Sequence, residues 1–77
     1  MLESSNKVVG VKQSRRAIQD GSAARVYLAE NADPAITEPI ARLCSECGIP
    51  VETAESMKEL GRRCGIAVGA SVVTVLR

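Results

Sequence analysis

Short apolar runs alternate with segments of helical periodicity along this chain, and that alternation constrains the fold more than any other feature. The apolar runs predict four strands, at residues 7–9, 25–29, 51–54 and 71–76. The segments between them predict three helices, at residues 12–20, 34–47 and 56–64. An order of β-α-β-α-β-α-β is typical of helices packed on both faces of one sheet. The sequence therefore predicts an α/β fold, a three-layer α/β/α sandwich, as a single domain over residues 1–77.

Residues at the starts of two predicted helices support these boundaries. Asp33 and Pro34 have the order typical of an N-cap followed by the first helical residue. Ser56 is followed by Glu59 at the spacing of a capping box. Pro39 lies inside the second helix and predicts a kink or a restarted first turn, because proline lacks the helical N–H.

The first helix begins without such a cap. Gly10 precedes it, and no Ser, Thr, Asp or Asn stands at the N-cap position. Lys12, Arg15 and Arg16 crowd this end, where the helix dipole favours negative charge. An uncapped helix start surrounded by cations predicts a site for an anion, with phosphate as the obvious candidate. The alternative, a solvated helix start with basic residues on its exposed face, stays open on these residues alone.

The charges are distributed unevenly, although the net charge is only +1. Residues 7–16 contain four basic residues and no acidic one. Residues 30–59 contain seven acidic residues, opposed only by Arg42 and Lys58. This asymmetry predicts one basic face and one acidic face.

The residue types that are missing exclude several functions. Tyr27 is the only aromatic residue, so the chain cannot bind single-stranded RNA by stacking bases on aromatic side chains. Histidine is absent, so Ser14 and Ser71 have no imidazole to activate them. No glycine-rich phosphate or dinucleotide motif is present. We expect a protein that is not an enzyme and has no catalytic residues and no cofactor.

The positions of the three cysteines indicate core residues rather than a redox or metal site. Cys44 and Cys47 lie in the last turn of their predicted helix, where the dipole opposes a thiolate, and on its apolar stripe. We expect both to be core or near-core thiols and Cys64 to be more accessible. Three cysteines without histidine do not complete a four-ligand zinc site, so we expect no metal. Unpaired cysteines are consistent with a reducing compartment.

The chain shows no targeting signal. Glu3 stands among the first residues and no apolar segment of signal-peptide type follows it. The most apolar stretch, residues 65–76, is shorter than the about 20 residues that span a bilayer. We expect a cytoplasmic protein without a membrane partner.

Four stretches, in order and at family spacing, resemble the superfamily of the kink-turn-binding ribosomal protein L7Ae. They are GVKQSRRA at 10–17, LAENADP at 28–34, LCSECGIPV at 43–51 and LGRRCGIAVGA at 60–70. The resemblance extends from about Val8 to Leu76. It implies a mixed four-stranded sheet of order 1-4-2-3 with helices on both faces.

The resemblance also implies binding to kink-turns, RNA elements that bend sharply beside tandem sheared G·A pairs and a three-nucleotide bulge. By position, Gly10, Lys12, Gln13 and Arg16 would lie against the G·A pairs, and the loop at 66–68 would pack on an extruded nucleotide. The pair Lys12–Gln13 resembles that of the bacterial members of the superfamily, whereas archaeal relatives have Asn-Glu at these two positions. The complete set of predicted RNA-binding residues is Gly10, Val11, Lys12, Gln13, Arg15, Arg16, Ile66, Ala67 and Val68.

The chemistry of these residues suits such a ligand. Lys12 and Arg16 can donate to guanine acceptors or phosphates, while the amide of Gln13 can donate and accept. Without aromatic residues, an extruded base would rest on aliphatic side chains between Gly65 and Gly69. The alternative for this loop is a plain connection with buried side chains.

One departure from the family pattern keeps a second function open. Relatives often have further basic residues one turn after Arg16, where this chain has Gln19 and Asp20, which predicts weaker phosphate contacts. The leading expectation is a monomer that binds structured RNA with a kink-turn, with the ribosome as a candidate larger partner. The alternative is a protein-interaction or ribosome-assembly module that has lost the RNA site. An enzyme of small-molecule metabolism has no acid/base candidate beyond ordinary carboxylates.

Overall fold

The computed structural model describes residues 6–66 and 68–77, and within them it has the seven predicted elements in the predicted order. The ends differ from the sequence-based boundaries by at most two residues. The strands are β1 (Lys7–Val9), β2 (Ala23–Ala29), β3 (Val51–Ala54) and β4 (Val72–Leu76). The helices are α1 (Val11–Gln19), α2 (Pro34–Cys47) and α3 (Met57–Arg63).

The four strands form one mixed sheet in the order β1-β4-β2-β3, which confirms the predicted topology. β4 pairs antiparallel with both β1 and β2, and Thr74 lies opposite Val8 on one side and Val26 on the other. β3 pairs parallel with β2. The central position of β4 explains its almost continuous apolar sequence, because Val72 and Val73 are both fully buried.

The helices cover both faces of the sheet, as expected for the three-layer sandwich. On one face, Ile18 of α1 and Ile40 and Cys44 of α2 pack against sheet residues that include Val72. On the other face, Leu60 of α3 packs with Val73 and with the segment that follows the helix. Neighbouring residues of β4 therefore belong to different cores, which follows from the two-residue period of a strand.

α2 is a single helix that continues through Pro39, so of the two outcomes predicted there the restarted turn does not occur. Two expectations for the cysteines are wrong. Cys47 is exposed, because the helix ends at Gly48 (φ 69°) just as the stripe would continue. Cys64 is buried, because it lies one turn after Leu60 on the face of α3 that meets the sheet. Burial raises the pKa of the thiols of Cys44 and Cys64.

The strand directions bring the starts of all three helices to one end of the molecule. β1, β2 and β3 run in the same direction, and each is followed by a helix that returns along the sheet. At this end, the N–H of Gly10 donates to the carbonyl oxygen of Val72 at 2.9 Å. The N–H of Ala29 donates to Ser71 at 3.0 Å, and that of Glu30 to Ala54 at 2.9 Å. We call this the helix-start end.

Candidate nucleic-acid interface

The start of α1 is uncapped, as predicted. Gly10 occupies the N-cap position with φ 106° and ψ 160°, and no side chain makes a capping hydrogen bond there. The first helical bond runs from the N–H of Ser14 to the carbonyl oxygen of Gly10 at 3.0 Å. The N–H groups of Val11, Lys12 and Gln13 therefore have no acceptor within the helix. These donors and the helix dipole favour an anion at this position.

The helical period divides α1 into a buried and an exposed side. Ser14, Ala17 and Ile18 face the sheet and are buried. Val11 packs partly against the same core, so its side chain does not join the exposed surface. The remaining long side chains line a surface concavity of about 480 Å³: Lys12, Gln13, Arg15, Arg16 and Gln19.

The cations of α1 make no salt bridge with a carboxylate within the described residues. The ion pairs found there join Arg25 to Glu52 at 3.0 Å, and Glu59 to Arg62 and Arg63 at 3.7 Å each. All of these pairs lie outside α1. Lys12, Arg15 and Arg16 are thus exposed charges on one side of one helix, free of internal ion pairing in this part of the chain. Such a surface can bind phosphate groups or the acceptor edges of bases.

Asp20, one of the two departures from the family pattern, has a local role at the far end of α1. Its carboxylate accepts hydrogen bonds from the N–H of Ser22 at 3.0 Å and from the hydroxyl of Ser22 at 2.5 Å. These bonds, with a smaller contribution from Arg16, lower the pKa of Asp20. Asp20 follows Lys12 by eight positions, a distance of about 12 Å along a helix. Gln19, in contrast, lies in the concavity.

The loop after α3 separates the residues that the sequence grouped together. Ile66 is partly buried against the core between α3 and the sheet, which contains Leu60 and Val73. Val68 has 71% of its surface exposed, more than the other exposed large hydrophobic residues of the described chain. Ala67 lies outside the described residues. Of the two described members of the predicted apolar trio, Val68 is therefore the one that the structure presents to solvent.

This loop is held along α3 by backbone contacts. The N–H of Ile66 donates to the carbonyl oxygen of Gly61 at 3.1 Å, and the N–H of Ala70 donates to that of Met57 at 3.0 Å. Between these bonds the backbones touch: a methyl group on Gly61 would collide with the carbonyl oxygen of Val68. Gly61 therefore permits an approach that a side chain would prevent.

The first residue of β4 connects the loop to the start of α1. Val72 accepts the hydrogen bond from the N–H of Gly10, and Ala70 precedes it by two residues. Segments far apart in the sequence thus meet at the helix-start end: the start of α1, which carries the cations, and the end of the loop that exposes Val68 four residues before Val72. Val9, which is 36% exposed, lies beside Gly10 on the edge strand β1. The alternation of the sequence did not distinguish it from a core residue.

Among residues 6–66 and 68–77, no group of three or more His, Cys, Asp or Glu side chains is arranged to hold a metal ion. No helix in these ranges has the length and apolar character needed to cross a membrane. What the interface offers is hydrogen-bond donors, positive charge and a small aliphatic surface.

Comparison with known proteins gives consistent results. A profile of the ribosomal protein L7Ae/L30e/S12e/Gadd45 family matches residues 1–77. An RNA-binding protein of Geobacillus kaustophilus is 43% identical over 77 residues, which cover all of this chain and 94% of that protein. RNA-binding protein YbxF of Geobacillus stearothermophilus is 42% identical over the same length, with the same coverage. The solved structure of a Giardia lamblia 15.5kD RNA binding protein superposes with a TM-score of 0.88 at 26% identity, covering 94% of this chain and 61% of that one.

Proposed function

The chain belongs to the ribosomal protein L7Ae/L30e/S12e/Gadd45 family, and we propose that it is a non-enzymatic RNA-binding protein that recognises kink-turns. The family match confirms the resemblance carried by the four sequence stretches. One observation carries the proposal: the uncapped, cation-lined start of α1 is hydrogen-bonded to the first residue of β4, and the loop that leads into β4 exposes Val68. The names of the relatives, which describe RNA-binding proteins, support RNA as the ligand.

The exposed side of α1 suits the widened groove of a bent RNA. An ordinary A-form major groove is too narrow for a helix, whereas a sharp bend opens it and exposes base edges. Lys12 and Arg16 would donate to guanine or phosphate acceptors, and Gln13 would donate and accept. Arg15 lines the same concavity and would contact the neighbouring backbone.

The loop suits an extruded nucleotide. Val68 offers an exposed aliphatic surface on a backbone that is held against α3, so little ordering is needed when a base packs on it. Only the kinked conformer of the RNA would contact α1 and this loop together. The protein would then stabilise the kink by population shift, because it binds the kinked form better than the extended form. We propose that it does so as a cytoplasmic monomer.

The test is a titration of the protein into kink-turn RNA, with affinity and bending followed by fluorescence transfer. We expect tight binding to the intact kink-turn and weak binding when Watson–Crick pairs replace the G·A pairs. Lys12→Ala with Arg16→Ala should abolish the preference. Arg25→Ala with Arg77→Ala removes the same charge from the opposite end of the sheet and should preserve it. Equal weak binding to both RNAs would contradict the proposal.

A second candidate, a protein-interaction or assembly module, is favoured by the groove between α1 and α2. This groove has a volume of about 460 Å³, and its lining combines apolar side chains with charges of both signs. Arg15 lines it from α1, and Glu38, Arg42 and Glu46 line it from α2. Mixed polarity is typical of surfaces that bind other proteins. Absence of a kink-turn preference in the titration would favour this function.

A further inference from the structure

The position of α3 depends on contacts at its first residue. α3 has seven residues, and an isolated helix of this length is not stable in water. Two side chains satisfy N–H groups at its start. The hydroxyl of Ser56 accepts from the N–H of Glu59 at 3.0 Å, as the capping box predicts. The carboxamide oxygen of Asn31 accepts from the N–H of Met57 at 2.8 Å.

Asn31 reaches α3 from a separate part of the fold. It lies 26 residues before Met57, in the turn between β2 and α2. Both neighbours in that turn are held by the backbone, since Glu30 donates to Ala54 at 2.9 Å and Ala32 donates to Ala29 at 3.2 Å. Asn31 is exposed, so it does not contribute to either core. Its bond to Met57 therefore ties α3 to the end of the sheet without packing.

Met57 in turn holds the loop that follows α3 through two hydrogen bonds. Its carbonyl oxygen accepts from the N–H of Ala70 at 3.0 Å, and its sulfur accepts from the hydroxyl of Ser71 at 3.4 Å. Four residues further along α3, the backbone of Gly61 touches that of Val68. A shift of α3 along its axis would consequently move both ends of the loop.

We propose that Asn31 is a positioning residue for RNA binding, which sets the place of Val68 by fixing the first residue of α3. The inference rests on the proposed function, since it requires that the loop contacts an extruded base. A purely structural cap would act differently. Its loss would lower stability and weaken all RNA contacts to a similar degree.

The experiment compares two kink-turn RNAs, one intact and one with an abasic site in place of the extruded nucleotide. The ratio of the two affinities measures the contribution of the base. We expect Asn31→Ala to lower this ratio by about fivefold, a coupling typical of residues linked through a shared backbone shift. Asn31→Asp retains the acceptor oxygen and should retain the ratio, although its added charge weakens binding to both RNAs.

Asp33→Ala is the matched control. The carboxylate of Asp33 accepts from the N–H of Ala35 at 2.9 Å, so this variant also loses a helix cap, but on α2, which does not hold the loop. It should lower the melting temperature and leave the affinity ratio unchanged. Amide hydrogen exchange at Ala70 should accelerate in Asn31→Ala and not in Asp33→Ala.

Two results would overturn the inference and leave the proposed function intact. One is a wild-type protein that prefers kink-turns while Asn31→Ala weakens both RNAs equally. The other is a ratio that falls as much in Asp33→Ala as in Asn31→Ala. Failure of the wild type to prefer the intact kink-turn over its Watson–Crick control would overturn the proposed function, and the inference with it.

Discussion

The two halves of the candidate interface are built in different ways. The exposed side of α1 results from local sequence, because one helix carries Lys12, Gln13 and Arg16 and its period turns them outward. The loop around Val68 results from contacts between distant segments, since backbone bonds to Met57 and Gly61 determine its course. The comparison shows that charge can be displayed by a helix alone. An aliphatic contact of defined position needs a scaffold.

The largest expected effect concerns that scaffold. Gly61→Ala places a methyl group against the carbonyl oxygen of Val68 and close to the Cα of Gly69, and both obstacles are backbone. We expect a loss of stability of about 3 kcal/mol, the upper range for overpacking. The melting temperature, measured by circular dichroism, should fall by at least about 10 °C.

Gly10→Ala is the corresponding change on the α1 side. A methyl group there meets nothing within 4 Å, but φ 106° is unfavourable for any residue with a side chain. The cost should be conformational strain alone, about 1–3 kcal/mol. If Gly61→Ala proves as stable as the wild type, the loop is not held by close backbone contact and the contrast between the halves is lost.

The salt dependence of RNA binding should differ between variants of α1 and variants of the loop. The expected effects are smaller than the stability effects of the two glycine substitutions. Lys12→Ala with Arg16→Ala should make the slope of log affinity against log salt shallower by about one to two, as fewer counterions are released. Val68→Ser should weaken binding about fivefold and leave the slope unchanged, because the lost contact is apolar. Affinities measured between 50 mM and 200 mM salt test this, with melting temperatures as the control for folding. Equal slopes for both variants would contradict the division.

The smallest expected effect lies at the far end of α1. Hydrogen bonds from Ser22 lower the pKa of Asp20, so the folded state favours the carboxylate. The resulting stabilisation is present above the unfolded pKa of about 3.9 and is lost as the pH falls through the lowered folded value. Asp20→Ala should therefore melt below the wild type at neutral pH, and the difference should shrink as the pH falls below about 4.

Asp20→Ala also tests whether Asp20 lies outside the RNA interface. Asp20 lies about 12 Å from Lys12 along the helix, farther than the screening length of about 8 Å at physiological salt. Arg16 is only one turn away, but the carboxylate of Asp20 is bonded to Ser22 and makes no ion pair with Arg16. Affinity for kink-turn RNA should consequently change by less than about twofold. A large gain in affinity would instead show that Asp20 opposes phosphate contacts, as the departure from the family pattern predicted.

Much of the fold and part of the site could be predicted from residues near one another in the chain. Helix periods, the capping of Ser56 and the missing cap at Gly10 involve side chains within a few positions, and each has the predicted structure. The exposure of Cys47 and the burial of Cys64 were predicted the other way round. An apolar stripe at helical spacing does not reveal where the helix ends relative to the sheet. It also does not reveal which face of a helix the sheet covers.

The amino-acid sequence by itself determined the order of elements, the α/β class and the basic character of α1, because periodicity and charge are local properties. Only the tertiary structure decided that Val68 stands out while Ile66 packs inward, that Gly61 admits the loop, and that Asn31 holds the start of α3. These features depend on the distance between backbones far apart in the chain. No local pattern of side chains encodes that distance, since it is set by how the layers pack.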